Sequence, residues 1–445
     1  MRIPVITTLP SQEPLQESAS RARNNPIGIP EGVNYPSQFE IDRTFSAVPV
    51  GSANAGLESL QSVDPSNSAQ FAVSGTIEAN SIDEVPTELD GQPMFANPEI
   101  MPFTTCGGDQ AVGDHTDVES LLNIASLHNR GLDGDEVAVA IMDTGVNIPH
   151  LQAKLGTAPR FDAANSWMPP GVIGTPGQMP IDHGTMCAYD ALIAAPKATL
   201  LDFPILSGRA SGGSAMGAHL SIALQGFAKL LAFWAVAFAP GGANRYKALV
   251  VNNSWGMYHP SWDFPIGHPG RYADNPNHPF NVIVSTLARS NADILFAAGN
   301  CGADCPDNRC QDVVTDTISG ANALPEVLCV SGCDIHDQRV GYSSQGPAIA
   351  GMDHSKPDLT AYTHFKGSEA FGTDTSDSGT SAACPVAAGC IAALRTKADT
   401  ISFPPSALFS QLEFSCKQLQ GAPGWNKDTG HGIINPDAAA QSIGI

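Results

Sequence analysis

Five short apolar runs mark residues 137–331 of this chain: 137–142 (VAVAIM), 198–206, 248–252, 294–298 and 327–331. Runs of this length without polar alternation suit strands buried on both faces. Helix-length segments separate most of them, notably 214–238 and 280–292. Strands alternating with helices predict an α/β fold, a doubly wound and mostly parallel sheet flanked by helices. In such sheets the ligand site lies beyond the carboxyl ends of the strands. Three runs end there in polar residues: Asp143-Thr-Gly, Asn252-Asn-Ser-Trp-Gly256 and Ala297-Ala-Gly-Asn300. One such ending carries no information, but three in one sheet converge on one edge.

A fourth group comes from Gly379-Thr-Ser-Ala-Ala-Cys-Pro385. A polar loop (374–378) precedes it and a run of small and apolar residues (386–394) follows. A turn through Gly379 into that helix leaves Ser381 at the helix N-terminus, where unpaired N–H groups face whatever bonds to the serine oxygen. Pro385 is expected in the first turn, where proline is tolerated. A serine so placed is more often an N-cap than a nucleophile. His183 opens a helical segment (183–193), and a histidine there is usually of no consequence. Acyl transfer, however, needs a nucleophile, a base within its reach and a carboxylate that fixes the base's tautomer. Asp143, His183 and Ser381 supply these types, each in a Gly-flanked turn.

The four blocks DTG (143–145), HGT (183–185), AAGN (297–300) and GTSAACP (379–385) resemble the signature blocks of the subtilisin-like serine proteases, the subtilases. YSSQGP (342–347), KPDLTAY (356–362) and WNKDTGHGIINPDAA (425–439) extend the resemblance over residues 115–445. The resemblance implies that Asp143 orients the base, His183 is the general base and then acid, and Ser381 is the nucleophile. It makes Asn300 the side-chain donor of the oxyanion hole, aided by the Ser381 N–H; without it, Asn300 would be a turn residue closing a strand. Ser254-Trp255-Gly256 and Ser211-Gly212-Gly213 resemble the two strands that pair with an extended polypeptide substrate. Trp255 stands where the family has a smaller apolar residue, so a different pocket wall is expected. HGTMCAY replaces the commoner HGTHVAG, and GTSAACPVAAG the commoner GTSMAAPHVAG. Neither change touches a group with a proton to move. Cys187 and Cys384 are expected as buried free thiols on neighbouring helices, with a disulfide as the lesser possibility.

The cluster Cys301, Cys305, Cys310, Cys329 and Cys333 follows Asn300. Disulfides pinning the oxyanion loop are preferred over a metal, because no histidine is suitably spaced. No string has the EF-hand pattern, so no metal ligand and no cofactor are assigned. The net charge is −22. Residues 1–115 carry 15 acids against 4 arginines and no lysine, and so hold half of it. Such a chain suits neither nucleic acid nor an anionic membrane surface as a partner. The opening MRIPVITTLPSQEP lacks a sustained apolar core, so no secretory signal is read, and a cytoplasmic place or a non-classical export route remains open.

Two domains are expected. Residues 111–445 form the catalytic domain, and residues 1–110 an acidic segment whose first thirty-odd residues look disordered. The resemblance implies that this segment is a pro-region that inhibits its own enzyme; Pro98 and Pro102 favour the extended form a β-pairing cleft accepts. The alternative is a solubilising tail. The whole chain is thus expected to be a serine endopeptidase made as a self-processing precursor. A catalytically silent binding protein on the same fold is the alternative. A dinucleotide-binding enzyme is excluded, because the first strand leads into DTGVNIPH and not a G-x-G-x-x-G turn.

Overall fold

The computed structural model describes residues 1–10, 34–50, 70–103, 110–207, 217–237, 246–419 and 424–445. Its N-terminal part is a six-stranded antiparallel sheet of β1 (Arg2–Pro10), β2 (Phe39–Ile41), β3 (Val48–Val50), β4 (Gln70–Glu78), β5 (Glu88–Leu89) and β6 (Gln92–Ala96). The order is β2-β4-β1-β6-β5, with β3 also on β4. β1 lies inside this sheet, between β4 and β6, which corrects the expectation of disorder for the first ten residues; residues 11–33 lie outside the described ones. Val5, Ile6, Thr7 and Leu9 are all buried. Pro4 falls where β6, which covers only Val5–Thr7, offers no partner.

The next strand, β7 (Glu99–Pro102), leaves this sheet and enters the second half of the molecule. There α1 (His115–Leu121) and α2 (Ile124–Asn129) follow each other as two short helices, because Asn123 turns left-handed (φ 54°) between them. The remaining strands in chain order are β8 (Val137–Met142), β9 (Arg160–Phe161), β10 (Thr199–Phe203), β11 (Ala218–His219), β12 (Ala248–Asn253), β13 (Trp255–Gly256), β14 (Asp293–Ala297), β15 (Leu328–Cys333), β16 (Leu359–Tyr362), β17 (Phe365–Lys366) and β18 (Ser376–Asp377). Seven form the central sheet, all parallel, in the order β16-β15-β14-β12-β8-β10-β9. From β8 the chain first goes to the edge strand β9, fills in β10 between the two, and then crosses to β12 on the other side of β8. The switch point is therefore the crevice between β8 and β12.

Helices cover both faces. They are α3 (Ile148–Leu155), α4 (His183–Ala194), α5 (Leu220–Ala237), α6 (Pro279–Arg289), α7 (Thr380–Arg395), α8 (Pro405–Ser415) and α9 (Pro436–Ile443). The period-two alternation of β8 divides the core. Val137, Val139 and Ile141 face α4 and α7, whereas Ala138, Ala140 and Met142 face α5 and α6. The second layer continues into Val5, Ile6 and Leu9 of the N-terminal sheet. α5 starts at Leu220 and not Ser214, because Ala218–His219 are used as a strand beside β7. Among the described residues no helix is long and apolar enough to cross a membrane.

Candidate active site

Asp143 is the first residue past β8, and its N–H donates to Phe203 O of the neighbouring strand (3.1 Å). The turn beyond it is held by Asp202 on β10, whose carboxylate accepts from Val146 N (3.1 Å) and Gly177 N (2.8 Å). Burial pushes the Asp202 carboxyl up to about 7. His183 is the first residue of α4, capped by the Asp182 carboxylate, which accepts from His183 N (2.7 Å). Its Nδ1 lies 2.8 Å from Asp143 Oδ1, with both side chains buried. A neutral ring that donates from Nδ1 keeps its lone pair on Nε2, and among the described residues Nε2 has no partner. Burial is the largest single effect and opposes a charge on His183, but Asp143, Asp182 and the Phe103 backbone together raise its pKa above the ordinary imidazole value.

Ser381 reaches the same place from the other side of the switch point. Gly379 caps α7 at φ 81°, a left-handed conformation that glycine alone adopts without strain. Ser381 is the second residue of the helix, in the first turn whose N–H groups lack helical partners. Pro385 lies in the second turn, not the first as expected. It has no N–H to give the carbonyl four residues earlier, that of Ser381. That freed oxygen instead accepts from Ser254 Oγ (3.0 Å) and from the Cys187 thiol (3.5 Å). Cys187 also sits 3.7 Å from Asp143 Oδ2, and burial together with that carboxylate pushes its pKa far up. It remains a thiol, linking Asp143 to the serine helix. Deeper on α4, Asp190 meets Asp377 just ahead of Gly379; both are buried and raised, Asp377 to about 6. Asp377 is held by Ser368, whose N–H and hydroxyl donate to its two oxygens (2.5 Å and 2.6 Å), and burial beside that second carboxyl favours the neutral form of Asp190.

Asn300 follows β14. Its Oδ1 accepts from Thr380 N (2.9 Å) and Thr380 Oγ1 (3.0 Å), so its orientation is set by the residue preceding Ser381. A Cβ on Gly379 would stand 2.7 Å from Asn300 Nδ2 and 3.1 Å from Phe103 O, so both groups border the same point. The Ser381 hydroxyl faces Phe103 O (2.8 Å) and Ser254 O (3.1 Å).

Phe103 arrives there because β7 lies in the cleft between β11 and β13. Ile100 and Glu99 pair with Ala218 and His219; Met101 and Pro102 pair with Gly256 and Trp255. Phe103 N then donates to Ser254 O (3.2 Å). Ser254, Trp255 and Gly256 thus pair with an extended segment of the same chain. The wall expected of Trp255 does not form: its indole points into the core, 5.5 Å from the Phe296 ring and 5.8 Å from that of Phe280. Strand alternation sends this side chain away from the cleft that its backbone lines. The Phe103 ring fills the space above Gly256, where a Cβ would come within 2.5 Å of it. Ser211, Gly212 and Gly213 lie outside the described residues, and Ala218–His219 form the second flanking strand seen here.

Cys301 and Cys310 form a disulfide, and Cys305 is disulfide-bonded as well. Cys329 and Cys333 are free and buried, which corrects their place in the cluster. They lie on β15, whose position is fixed by pairing on both sides, away from the loop that carries the other three. Cys187 and Cys384 are buried free thiols, as expected. Sequence reasoning missed Thr380, which orients Asn300, and Phe103, Tyr258 and Arg309. The GTS block pointed to the first; only chain pairing reveals the rest.

A parallel sheet with a serine helix, a histidine helix and a strand-end aspartate around its switch point defines a subtilisin-like α/β protein. The subtilase family model matches residues 134–432. Subtilisin BL and Subtilisin Savinase, both from Lederbergia lenta, are each 26% identical over 329 residues, covering 72% of this chain and 97% of the relative. Subtilisin E from Bacillus subtilis (strain 168) is 22% identical over 323 residues, covering 72% of this chain and 70% of the relative. The chain belongs to the subtilase family.

Proposed function

We propose that the protein is a serine endopeptidase that hydrolyses peptide bonds through an acyl-enzyme, and that its N-terminal part is a pro-region whose junction is its first substrate. The observation that carries this is the Ser381 hydroxyl 2.8 Å from Phe103 O, with 99–102 paired in the cleft. Ser381 Oγ attacks the Phe103 carbonyl carbon once its proton passes to His183 Nε2, the free nitrogen. Asp143, on Nδ1, holds the tautomer and stabilises the imidazolium. Charge that develops on the Phe103 oxygen meets Asn300 Nδ2 and the Ser381 N–H. His183 returns the proton to the departing Thr104 nitrogen, which breaks the Phe103–Thr104 bond. Water, deprotonated by His183, then releases the acyl group. Until it dissociates, the segment ending at Phe103 occupies the cleft and acts as the enzyme's own inhibitor.

The test is a serine-directed phosphonate label with a peptidase assay on the parent and on Ser381→Ala. The expected result is label on Ser381, hydrolysis in the parent, and loss of both in the variant. A parent that neither takes the label nor hydrolyses peptides overturns the reading and leaves a binding protein on this fold.

A further inference from the structure

Beside the cleft stands a polar unit with no part in the chemistry above. Tyr258 Oη donates to the Pro102 carbonyl oxygen (3.0 Å). Arg309 Nη2 donates to Tyr258 Oη (2.6 Å), and its Nη1 lies 3.4 Å from the same Pro102 oxygen. The guanidinium also covers the Tyr258 ring, its carbon 3.9 Å from the centroid. Since Arg309 supplies a proton to Oη, the phenol's own proton is left for the carbonyl. Asp307 holds Arg309 in place, accepting from its Nε (2.9 Å). The unit is fastened to the oxyanion loop as well: Asp307 N donates to Asn300 O (2.9 Å), and the Cys301–Cys310 disulfide closes the loop over it.

We propose that Tyr258 and Arg309 form a clamp that grips the backbone carbonyl one residue before the cleaved bond's acyl residue and selects an aromatic side chain at that residue. The proposal rests on the endopeptidase reading. The two halves of the clamp act on different features. A carbonyl is present in any peptide, so the hydroxyl and guanidinium fix the position of the substrate without choosing its sequence. The ring makes the choice: it meets the Phe103 ring edge to face, centroids 5.3 Å apart at 74°. Arg309, already paired with Asp307, brings no unmatched charge to the pocket.

Tyr258→Phe removes the hydroxyl and keeps the ring; Tyr258→Leu removes both. Each processed enzyme is assayed on Ile-Met-Pro-Phe and Ile-Met-Pro-Leu p-nitroanilides. Tyr258→Phe should lower kcat/KM about threefold to tenfold on both peptides, the worth of one neutral hydrogen bond, with the Phe/Leu ratio unchanged. Tyr258→Leu should also cut that ratio by about threefold to tenfold. Separately, in the full-length Ser381→Ala chain, amide exchange across residues 99–103 should speed up when Tyr258→Phe or Arg309→Met is added. That measurement requires no catalysis, so a parent inactive on both peptides would sink the endopeptidase reading while exchange still tests the grip. Variants within twofold of the parent on both peptides, or exchange unchanged by either substitution, overturn the clamp.

Discussion

Ser381 donates its hydroxyl proton to the carbonyl oxygen of Phe103 at 2.8 Å, across 278 positions of chain. The contact depends on register: Met101 opposite Gly256 and Pro102 opposite Trp255 leave Phe103 as the residue presented to the serine. A slip of one residue would put the Phe103 ring on the opposite face of the strand and lose the space above Gly256.

The first prediction follows from that register. The full-length chain should cut itself after Phe103, so intact mass and N-terminal sequencing should report a new start at Thr104. Ser381→Ala should stay whole. Phe103→Asp should slow the cut by about tenfold or more, because a carboxylate would lose its water in a pocket made for a ring. Cleavage at another bond, at an unchanged rate in Phe103→Asp, would contradict the register.

Asn300 and Thr380 should separate by size of effect. Asn300→Ala should lower kcat by about two to three orders of magnitude with KM little changed, as for a donor used in the transition state. Thr380→Val keeps the N–H but removes the hydroxyl that donates to Asn300 Oδ1 and accepts from Gly299 N (3.0 Å). Its loss in kcat should be smaller, about threefold to tenfold. In steady-state kinetics, a rise in KM with kcat unchanged in Asn300→Ala would instead place Asn300 in ground-state binding.

Two kinds of histidine give pH effects that act on different steps. As the proposed base, His183 has to be neutral to take the serine proton, and its pKa is raised by Asp143, Asp182 and the Phe103 backbone against the opposing effect of burial. The kcat/KM profile should therefore rise with pH through a group above the ordinary 6.5. His278, whose Nε2 lies 2.8 Å from Ala96 O, is pushed down to about 4 by burial. His219, 3.2 Å from Asn97 O, is lowered for the same reason. Groups depressed in the complex bind fewer protons there than when released. The hold on the N-terminal segment should be full above pH 6.5 and weaken as pH falls toward 4, by up to roughly 30-fold at pH 5 from His278 alone. Gel filtration of the cut complex at pH 7 and pH 5 would show it; equal retention at both would refute it.

The last prediction concerns stability. Arg395 at the end of α7 makes two 2.6 Å bonds to Asp293 at the start of β14, both side chains fully buried. One pair thus anchors the far ends of the two elements that carry Ser381 and Asn300. Arg395→Met would strand a buried carboxylate and should cost about 3–5 kcal/mol, measured by urea unfolding. Arg395→Met with Asp293→Leu should recover part of the loss, since the apolar pair leaves no orphaned charge. A single variant within about 1 kcal/mol of the parent would contradict this.

Much of the site was legible because its signals are local. VAVAIM reads as a strand buried on both faces from its composition alone, and Asp143 must follow at its carboxyl end. His183 and Ser381 open helices whose buried surfaces are written in their small and apolar residues. What tertiary structure decided is the set of partners supplied from far along the chain. Arg2–Pro10 looks too polar and proline-broken to be ordered until β4, some seventy positions on, pairs with all of it. Trp255 could be assigned a strand but not a face, and its two sides became core and cleft only when α6 and β7 came to lie against them. Pro385 signals a missing N–H, but the groups that take up the freed Ser381 carbonyl come from β12's end and from α4. Spacing along the chain sets which way a side chain points relative to its own element; which atom it meets depends on contacts that no local pattern encodes.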